Sequence, residues 1–361
     1  MPRPPTIRSL ARQLRLSTAT VSEALRDNPR VHAETRARVQ RAARRAGYQP
    51  NPLLGAALSA VRRASHQNYR GTVALVDTAE GGRAELMIFH REIVAGAKAR
   101  AASLGFNTEL FWLGEGGPAL SLSRLRGVLH ARGISGVVLL PFHTRQDMAG
   151  FDFSRLAAVQ MDHCLLQPHL HTVVPDHYVS MMNALERLTA LGYRRIGLCL
   201  DQRKDMQLKR KWSAGFQAFF RSHARDTGIP VLVEPRLTRE RFLPWFRRYR
   251  PDLVVGHAQV MVQWLQEEGL RVPQDIGYFN LNVTERLAPC AGLDLEPRRL
   301  GAAAVEMVVA MLHRQEWGVP AYTQTITLEA TWVEGPTLGR PGETPAPLKP
   351  RPTAARTRKA R

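Results

Sequence analysis

The sequence predicts an α/β protein in two parts: a small N-terminal module of three helices, and a large two-lobed body built on parallel sheets. Three observations carry this. Residues 7–25 hold two short amphipathic segments meeting at a turn, strand-like and helix-like runs alternate from about residue 71 onward, and positive charge is concentrated at the two ends of the chain.

In the module, Ile7, Leu10, Ala11 and Leu14 recur at helical spacing. Ser17 then opens a second helix whose inward side carries Val21, Ala24 and Leu25. Its other residues, Thr18, Ala19, Thr20, Ser22 and Glu23, are short or polar, so the helix can lie close against another macromolecule. After the loop DNPRV a third helix runs from about Ala33 to Ala46, with Val39, Ala42 and Ala43 as its apolar stripe and Gly47 ending it. Arg36, Arg38, Arg41, Arg44 and Arg45 occupy the rest of its circumference. Tyr48 to Pro52 break the chain. Beyond them Leu53 to Arg63 has helical character, with Leu54, Leu58 and Val61 on one side, but is short for an independent helix in water. Residues 64–70 read as a linker.

The body starts with the strand TVALVDT, the Ala-rich helix Phe89 to Leu104, the strand NTELFWL, a helix from Leu122 to Arg132 and the strand GVVLLPF; AAVQMD and HTVVPD continue the pattern. A second round follows with the helix Tyr178 to Leu191, RRIGLCL, the helix Lys209 to His223, PVLVEP, the helix Glu240 to Tyr249, DLVVGH, the helix Val260 to Glu268 and DIGYFNL. Two such rounds imply two lobes facing a cleft, with ligands bound outside the carboxyl ends of the strands. A last helix, Leu300 to His313, and one strand, TQTITLEATWVEG, close the body. The Pro-rich basic stretch after Gly335 is expected to be disordered.

The chain has 361 residues and a net charge of +20. Residues 1–70 carry 14 Lys and Arg against 3 Asp and Glu, and residues 336–361 carry 7 against 1, whereas residues 71–335 carry 30 against 27. A near-neutral body with cationic ends fits a protein that neutralises phosphates with its terminus. Cys164, Cys199 and Cys290, widely spaced and odd in number, suggest a reducing cytoplasm. No apolar run approaches a membrane span and MPRPPTIRS lacks a secretory apolar core, so no membrane partner is expected.

Thr6-Ile7, Leu10-Ala11, Leu16-Ser17, Thr20-Val21-Ser22, Leu25, Val31, Thr35-Arg36, Val39, Gly47-Tyr48 and Pro50-Asn51 form a skeleton that resembles the DNA-binding headpiece of lactose-repressor-type (LacI/GalR) transcriptional regulators. The likeness continues more weakly to about residue 338 through Ala190 to Ile196, Ala214-Gly215-Phe216, Val272 to Ile276 and Leu300-Gly301. It implies a helix-turn-helix headpiece over 1–50, a hinge helix and linker over 51–70, and a periplasmic-binding-protein-like body over 71–335 that binds effector and dimerises. A basic tail over 336–361 completes the chain. The function implied is that of a transcriptional regulator, commonly a repressor, binding near-palindromic double-stranded operator DNA as a homodimer under control of a small effector, with a carbohydrate as the leading class.

The family pattern assigns base-edge contacts to Thr18, Ala19, Ser22 and Glu23, and places Ser17 and Thr20 nearer phosphate. Thr6, Asn28, Arg36, Tyr48 and Asn51 complete the expected DNA interface. Three departures stand out. Glu23 replaces a common Arg, exchanging a guanine partner for an acceptor suited to cytosine N4. Arg15 replaces a Gly frequent in the turn; if that position is left-handed, Arg costs about 1 kcal/mol. The minor-groove leucine of the hinge falls on Ala57, with Leu58 one residue later and about 100° around the helix. Either Leu58 becomes the wedge or the DNA is bent less.

Strand ends supply the expected effector residues: Asp77, Phe142, Asp176, Trp212, His257 and Asn282, with Arg210 beside them. Asp176 matches the family's pocket acid. Trp212 stands in place of a sugar-gripping Arg, His257 in place of a frequent Asn, and Asn282 in place of an acid, so the pocket departs from the usual sugar site. A pocket that no longer binds an effector is one alternative.

Enzymatic chemistry has little to stand on: Gly114-Glu115-Gly116-Gly117 is no phosphate loop, and neither HExxH nor a lysine-ended P-loop occurs. Asp162-His163-Cys164 with His169 and His171 is the best metal-like cluster, but it lacks paired zinc spacing. No cofactor is expected. A solute-binding protein would suit the body alone, and the fused helix-turn-helix argues against it.

Overall fold

A computed structural model describes residues 7–25, 29, 31–46, 71–78, 87–114, 119–222, 228–285 and 288–339. They belong to two units, one within Met1–Asn68 and one within Tyr69–Arg361.

The first unit consists of α1 (Ile7–Leu14), α2 (Thr18–Leu25) and α3 (Ala33–Arg45), closed over Leu10, Ala11, Val21, Ala24, Val31, Val39 and Ala43. The α1–α2 turn is a Schellman termination: Leu16 N–H donates to Ala11 O at 3.0 Å and Arg15 N–H to Arg12 O at 3.3 Å. Arg15 occupies the left-handed position, at φ 52°. Ser17 caps α2, its Oγ accepting from Thr20 N at 2.9 Å. From α3, Arg38 donates to the Leu14 carbonyl at 3.3 Å and Gln40 to the Ala24 carbonyl at 3.4 Å, which satisfies the open ends of α1 and α2.

The second unit begins with β1 (Thr72–Thr78), α4 (Ile88–Ser103), β2 (Asn107–Leu113), α5 (Leu122–Ala131), β3 (Gly136–Leu139), β4 (Gln146–Asp147), β5 (Ala157–Met161), β6 (Leu165–Gln167) and β7 (His171–Pro175). It continues with α6 (His177–Ala190), β8 (Ile196–Asp201), α7 (Gln202–Gln207), α8 (Lys211–Ser222), β9 (Leu232–Glu234), α9 (Arg239–Tyr249), β10 (Leu253–Gly256) and α10 (Val260–Glu267). Then come β11 (Gly277–Asn280), a 3-10 turn (Val283–Glu285), β12 (Gly292–Asp294), α11 (Pro297–Arg314), β13 (Thr325–Leu328) and β14 (Thr331–Val333).

Two six-stranded sheets result, ordered β13-β7-β5-β3-β1-β2 and β14-β12-β11-β10-β8-β9, with β4 and β6 as a separate pair. All pairings are parallel except β12 with β14. Strand runs such as AAVQM and LVVG are buried throughout, as parallel strands covered on both faces must be. The chain passes between the lobes three times: from β7 into α6, from β12 into α11, and from β13 to β14. On the first lobe α11 lies directly against α4. A Cβ on Gly96 would collide with the Arg298 carbonyl, and one on Gly301 with the Ile93 carbonyl, so both positions need glycine for this approach. The second lobe sandwiches its sheet between α6 and α8 on one face (Leu185, Phe216, Phe219) and α9 and α10 on the other (Phe242, Trp245, Leu265).

Several expectations are corrected. TQTITLEATWVEG is not one strand but two, one in each sheet. The break falls at Glu329-Ala330, where Ala330 N–H donates to Ser180 Oγ at 2.9 Å as the chain crosses. The helix expected over Lys209 to His223 begins at Lys211, behind a separate α7 capped by Asp201, and left-handed Lys209 and Arg210 form the corner. Residues 336–339, placed by composition in the tail, are part of the body. Thr337 is buried, donates to Tyr278 O at 2.7 Å and accepts from Ala291 N at 2.9 Å, while Gly339 exchanges backbone bonds with the Tyr193 hydroxyl. No helix among the described residues is long and apolar enough to cross a membrane.

Candidate functional site

Two places carry the candidate residues, and each lies within one unit. In the first unit α2 turns Val21 and Ala24 into the core and leaves Ser17 and Thr18 exposed and Thr20 and Glu23 half-buried. Ser17 and Thr20 are also tied to each other, their hydroxyls 2.8 Å apart, so the groups expected near phosphate are held by the helix cap. Arg12, Arg15, Arg38, Arg41, Arg44 and Arg45 are exposed around them, against Glu34 and the half-buried Glu23. Arg36 is half-buried and donates to the Val31 carbonyl at 3.0 Å, so it braces the loop before α3. Thr6, Asn28, Tyr48, Asn51 and Leu58 lie outside the described residues, as do the side chains of Ala19 and Ser22.

The second place is the cleft of the body. Residues of α7 and α8 meet the loops after β3 and β5 there: Gln207 Nε2 donates to the Phe142 carbonyl at 2.7 Å, Arg203 contacts the His143 ring, and Lys211 Nζ lies 3.4 Å from His163 Nε2. These contacts join the lobes.

The expected effector residues separate into three groups. Trp212 and His257 come together with His177 at the centre, Trp212 standing edge-on to His177 at 4.8 Å and to His257 at 6.0 Å. Asp77, Asp176 and Asn282 are at strand ends as expected, but already engaged. Asp77 pairs with His90 at 2.8 Å and accepts from Thr78 N at 2.7 Å, Asp176 caps α6 through Val179 N at 3.0 Å, and Asn282 accepts from Thr284 N at 3.1 Å. Phe142 and Arg210 do not line the centre. The Phe142 ring is fully buried in the first lobe's core with Met148 and Phe151, leaving only its carbonyl to the cleft, and Arg210 is exposed on the left-handed corner before α8.

Four cleft residues were not among the expected effector positions: Asp162, His163, His177 and Lys211. Asp162 and His163 directly follow β5, which is the strand-end signal used elsewhere; His177 and Lys211 adjoin the expected Asp176 and Trp212. Asp162 and His163 adopt successive left-handed conformations, both at φ 52°, and Asp162 is 9% exposed. Burial raises the Asp162 carboxyl to about 6, against a smaller lowering by His90 and Lys211. Burial also pushes His177 down to about 3 and His163 to about 4, with the positive charges of Lys211, Lys209 and Arg145 adding to the shift at His163. His257 is held well below its usual value, again first by burial and then by Lys204 and His177. Lys211 is itself lowered by burial, which Asp162 and Asp176 oppose. Four buried polar atoms at this centre, Asp162 Oδ1, His177 Nδ1, Trp212 Nε1 and His257 Nε2, have no hydrogen-bond partner among the described residues. Such atoms are rarely left unpaired in a finished core.

The metal-like cluster does not assemble. Cys164 is buried with its thiol pushed up by burial, His171 accepts from Gln324 N at 2.9 Å on another edge, and among the described residues no three His, Cys, Asp or Glu are grouped to hold a metal ion.

Residues 6–51 match the model of the lacI family of bacterial regulatory proteins, and residues 185–338 that of a periplasmic binding protein-like domain. The HTH-type transcriptional repressor CytR of Escherichia coli (strain K12) is 25% identical over 329 residues, covering 87% of this chain and 91% of that protein. The ribose operon repressor of Haemophilus influenzae (strain Rd) is 24% identical over 349 residues, covering 91% and 97%. Among solved structures, the lac repressor dimer bound to operator and the anti-inducer ONPF shares the fold with a TM-score of 0.53 at 20% identity, covering 93% of this chain and 100% of that one.

Proposed function

The chain belongs to the lacI family of bacterial regulatory proteins and is a DNA-binding transcriptional regulator; on that premise we propose that it is a repressor that binds near-palindromic operator DNA as a homodimer in the cytoplasm. Residues 1–50 form the headpiece and 51–70 the hinge; the body runs from 71 to 339, and a basic tail follows. The observation that carries this is the exposed, short-chained N-terminal face of α2, held rigid by the Schellman turn and the Ser17 cap within a ring of arginines. Thr18, Ala19, Ser22 and Glu23 read base edges, and Arg41, Arg44 and Arg45 supply charge for phosphates. Two headpieces address half-sites about one helical turn apart, roughly 34–36 Å.

A small effector with sugar-like hydroxyls, bound in the cleft, controls this state. The four unpartnered polar atoms at this centre support a ligand there, and the interlobe contacts of Gln207 and Lys211 are the ones its binding adjusts. Coupling between such sites amounts to about 1–3 kcal/mol. The chemistry needs no cofactor and no catalytic step. A regulator without an effector is the second reading, favoured by the close packing of Trp212 against His177.

Gel-shift titration tests the proposal. Palindromic sites from the protein's own genome should bind far more tightly than random DNA at equal salt, and deleting residues 1–50 should abolish binding. Equal affinity for both DNAs would exclude a sequence-specific regulator.

A further inference from the structure

We infer that the effector is an anion, a polyhydroxylated molecule carrying a carboxylate or phosphate, and that Lys211 is the residue that receives its charge; this rests on the cleft being the effector site. The first support is the lysine itself. Lys211 opens α8, its side chain is half-buried between the lobes, and among the described residues it has one hydrogen-bond neighbour, the His163 ring at 3.4 Å. An ammonium carries three donors, so donors remain unspent for a ligand.

The second support is the charge around it. Arg203, Lys204, Lys209, Arg210 and Lys211 lie within nine residues along the same edge of the second lobe, and Arg145 faces them from the first, donating to the His163 and Leu165 carbonyls at 3.1 and 2.8 Å. None of these six makes an ion pair with an acid among the described residues. The nearby acids are committed elsewhere: Asp77 to His90, Asp176 and Asp201 to helix caps, and Asp205 to Ser213 Oγ at 2.8 Å. Among the described acids acting on Lys211, Asp162 keeps an unpartnered Oδ1, and its own burial works against its charge.

The third support is an unspent donor at the centre. Trp212 is fully buried and its Nε1, a donor only, has no acceptor among the described residues. A ligand rich in acceptor oxygens supplies what the site lacks, and its negative charge offsets the surplus of cations. His177 and His257, kept neutral, remain available to hydroxyls.

Calorimetric titration of the full chain tests this with D-gluconate, D-glucuronate, D-glucose 6-phosphate and D-ribose 5-phosphate against D-glucose and D-ribose. At least one acid should bind about tenfold or more tighter than its neutral parent, with affinity falling as NaCl is raised. Lys211→Met should weaken that acid about tenfold and Lys211→Arg should largely retain it. The carboxylate and phosphate arms separate the two sources of charge. If the neutral parents bind as well as the acids, or none of the acids binds, the anion inference is overturned, and binding of a neutral sugar would leave the cleft as effector site. If an acid binds but Lys211→Met and Trp212→Phe both leave its affinity untouched, the cleft is not the effector site and the inference falls with it.

Discussion

The headpiece and the cleft solve opposite problems with polar groups. In the described headpiece most charged side chains are exposed, and three polar ones close helix ends: Ser17 on α2, Arg38 on the Leu14 carbonyl, Gln40 on the Ala24 carbonyl. In the cleft, polar groups are buried before all their bonds are made, as Asp162, Trp212 and His257 show. A surface waiting for DNA can remain hydrated, so its stability and its binding are carried by different residues. A cleft waiting for a small molecule holds its groups in low dielectric, so the same residues set both stability and binding.

The widest separation is expected at Trp212. Trp212→Ala removes a fully buried indole and should lower body stability by about 3–5 kcal/mol. Thr18→Ala, exposed on α2, should change stability by less than about 0.5 kcal/mol. Urea unfolding of both variants, read beside operator affinity, checks the contrast. If Thr18→Ala proves the more destabilising, the division between the two regions is wrong.

Titration sharpens the comparison, because the cleft holds groups shifted in opposite directions. The folded values of His163 and His177, about 4 and about 3, lie below the usual histidine value of 6.5, so their neutral burial is free above pH 6.5 and destabilises the fold as pH falls toward 4 and below. Asp162 is raised to about 6 from 3.8, so its penalty is absent below pH 3.8 and is complete once pH has risen past 6. Between pH 4 and 6 these slopes oppose each other. Asp162→Asn should therefore raise stability at pH 7 by up to about 3 kcal/mol, leave it unchanged below pH 4, and expose a steeper histidine-driven loss in acid. Melting temperatures from pH 3.5 to 7.5 check this. A gain that does not vary with pH would assign the effect to packing instead.

At the DNA surface the expected effects concern selectivity rather than stability. Glu23 is half-buried on α2 and accepts from cytosine in the proposed interface. Glu23→Arg should shift the preferred base pair at one position of each half-site toward guanine, with about 1–3 kcal/mol of discrimination. Competition with operators varied at single positions measures it, and a uniform gain across all sequences would mean that position 23 faces phosphate.

How far each region was legible in the sequence follows the same line. In the headpiece each helix carries its own local signal, so apolar spacing and the Ser17 cap located α1 to α3 to within a residue or two. In the body, apolar runs identified β1, β5, β8 and β10 because buried parallel strands are nearly all apolar. The failures are tertiary. Nothing local separates β13 from β14, since the break is imposed by the crossing and the Ser180 bond. The α7–α8 corner turns on left-handed Lys209 and Arg210, residues with no turn signature. Strand-end position located His257, and the family resemblance located Trp212, which lies in α8; neither can say that the Phe142 ring turns into the core, and Asp162 and His163, part of a metal-like pattern in the sequence, have the surroundings of a cleft wall.

Arg15 is the one place where the headpiece behaves like the cleft, holding strain where a simpler residue would relieve it. Its φ of 52° is the left-handed position of the Schellman turn, which glycine adopts freely and arginine at a cost of about 1 kcal/mol. The side chain is exposed and lies at the turn between α1 and α2, which in the proposed interface cross the DNA backbone and enter the groove. Arg15→Gly should thus stabilise the headpiece by about 1 kcal/mol while weakening operator binding and reducing the slope of log affinity against log salt by about 1, the signature of one lost phosphate contact. The loss should be similar for operator and random DNA, because phosphate carries no sequence. Thermal unfolding of residues 1–68 within the full chain and salt-dependent gel shifts would settle both halves. A stabilised headpiece with unchanged salt dependence would mean that the arginine at this turn meets solvent only.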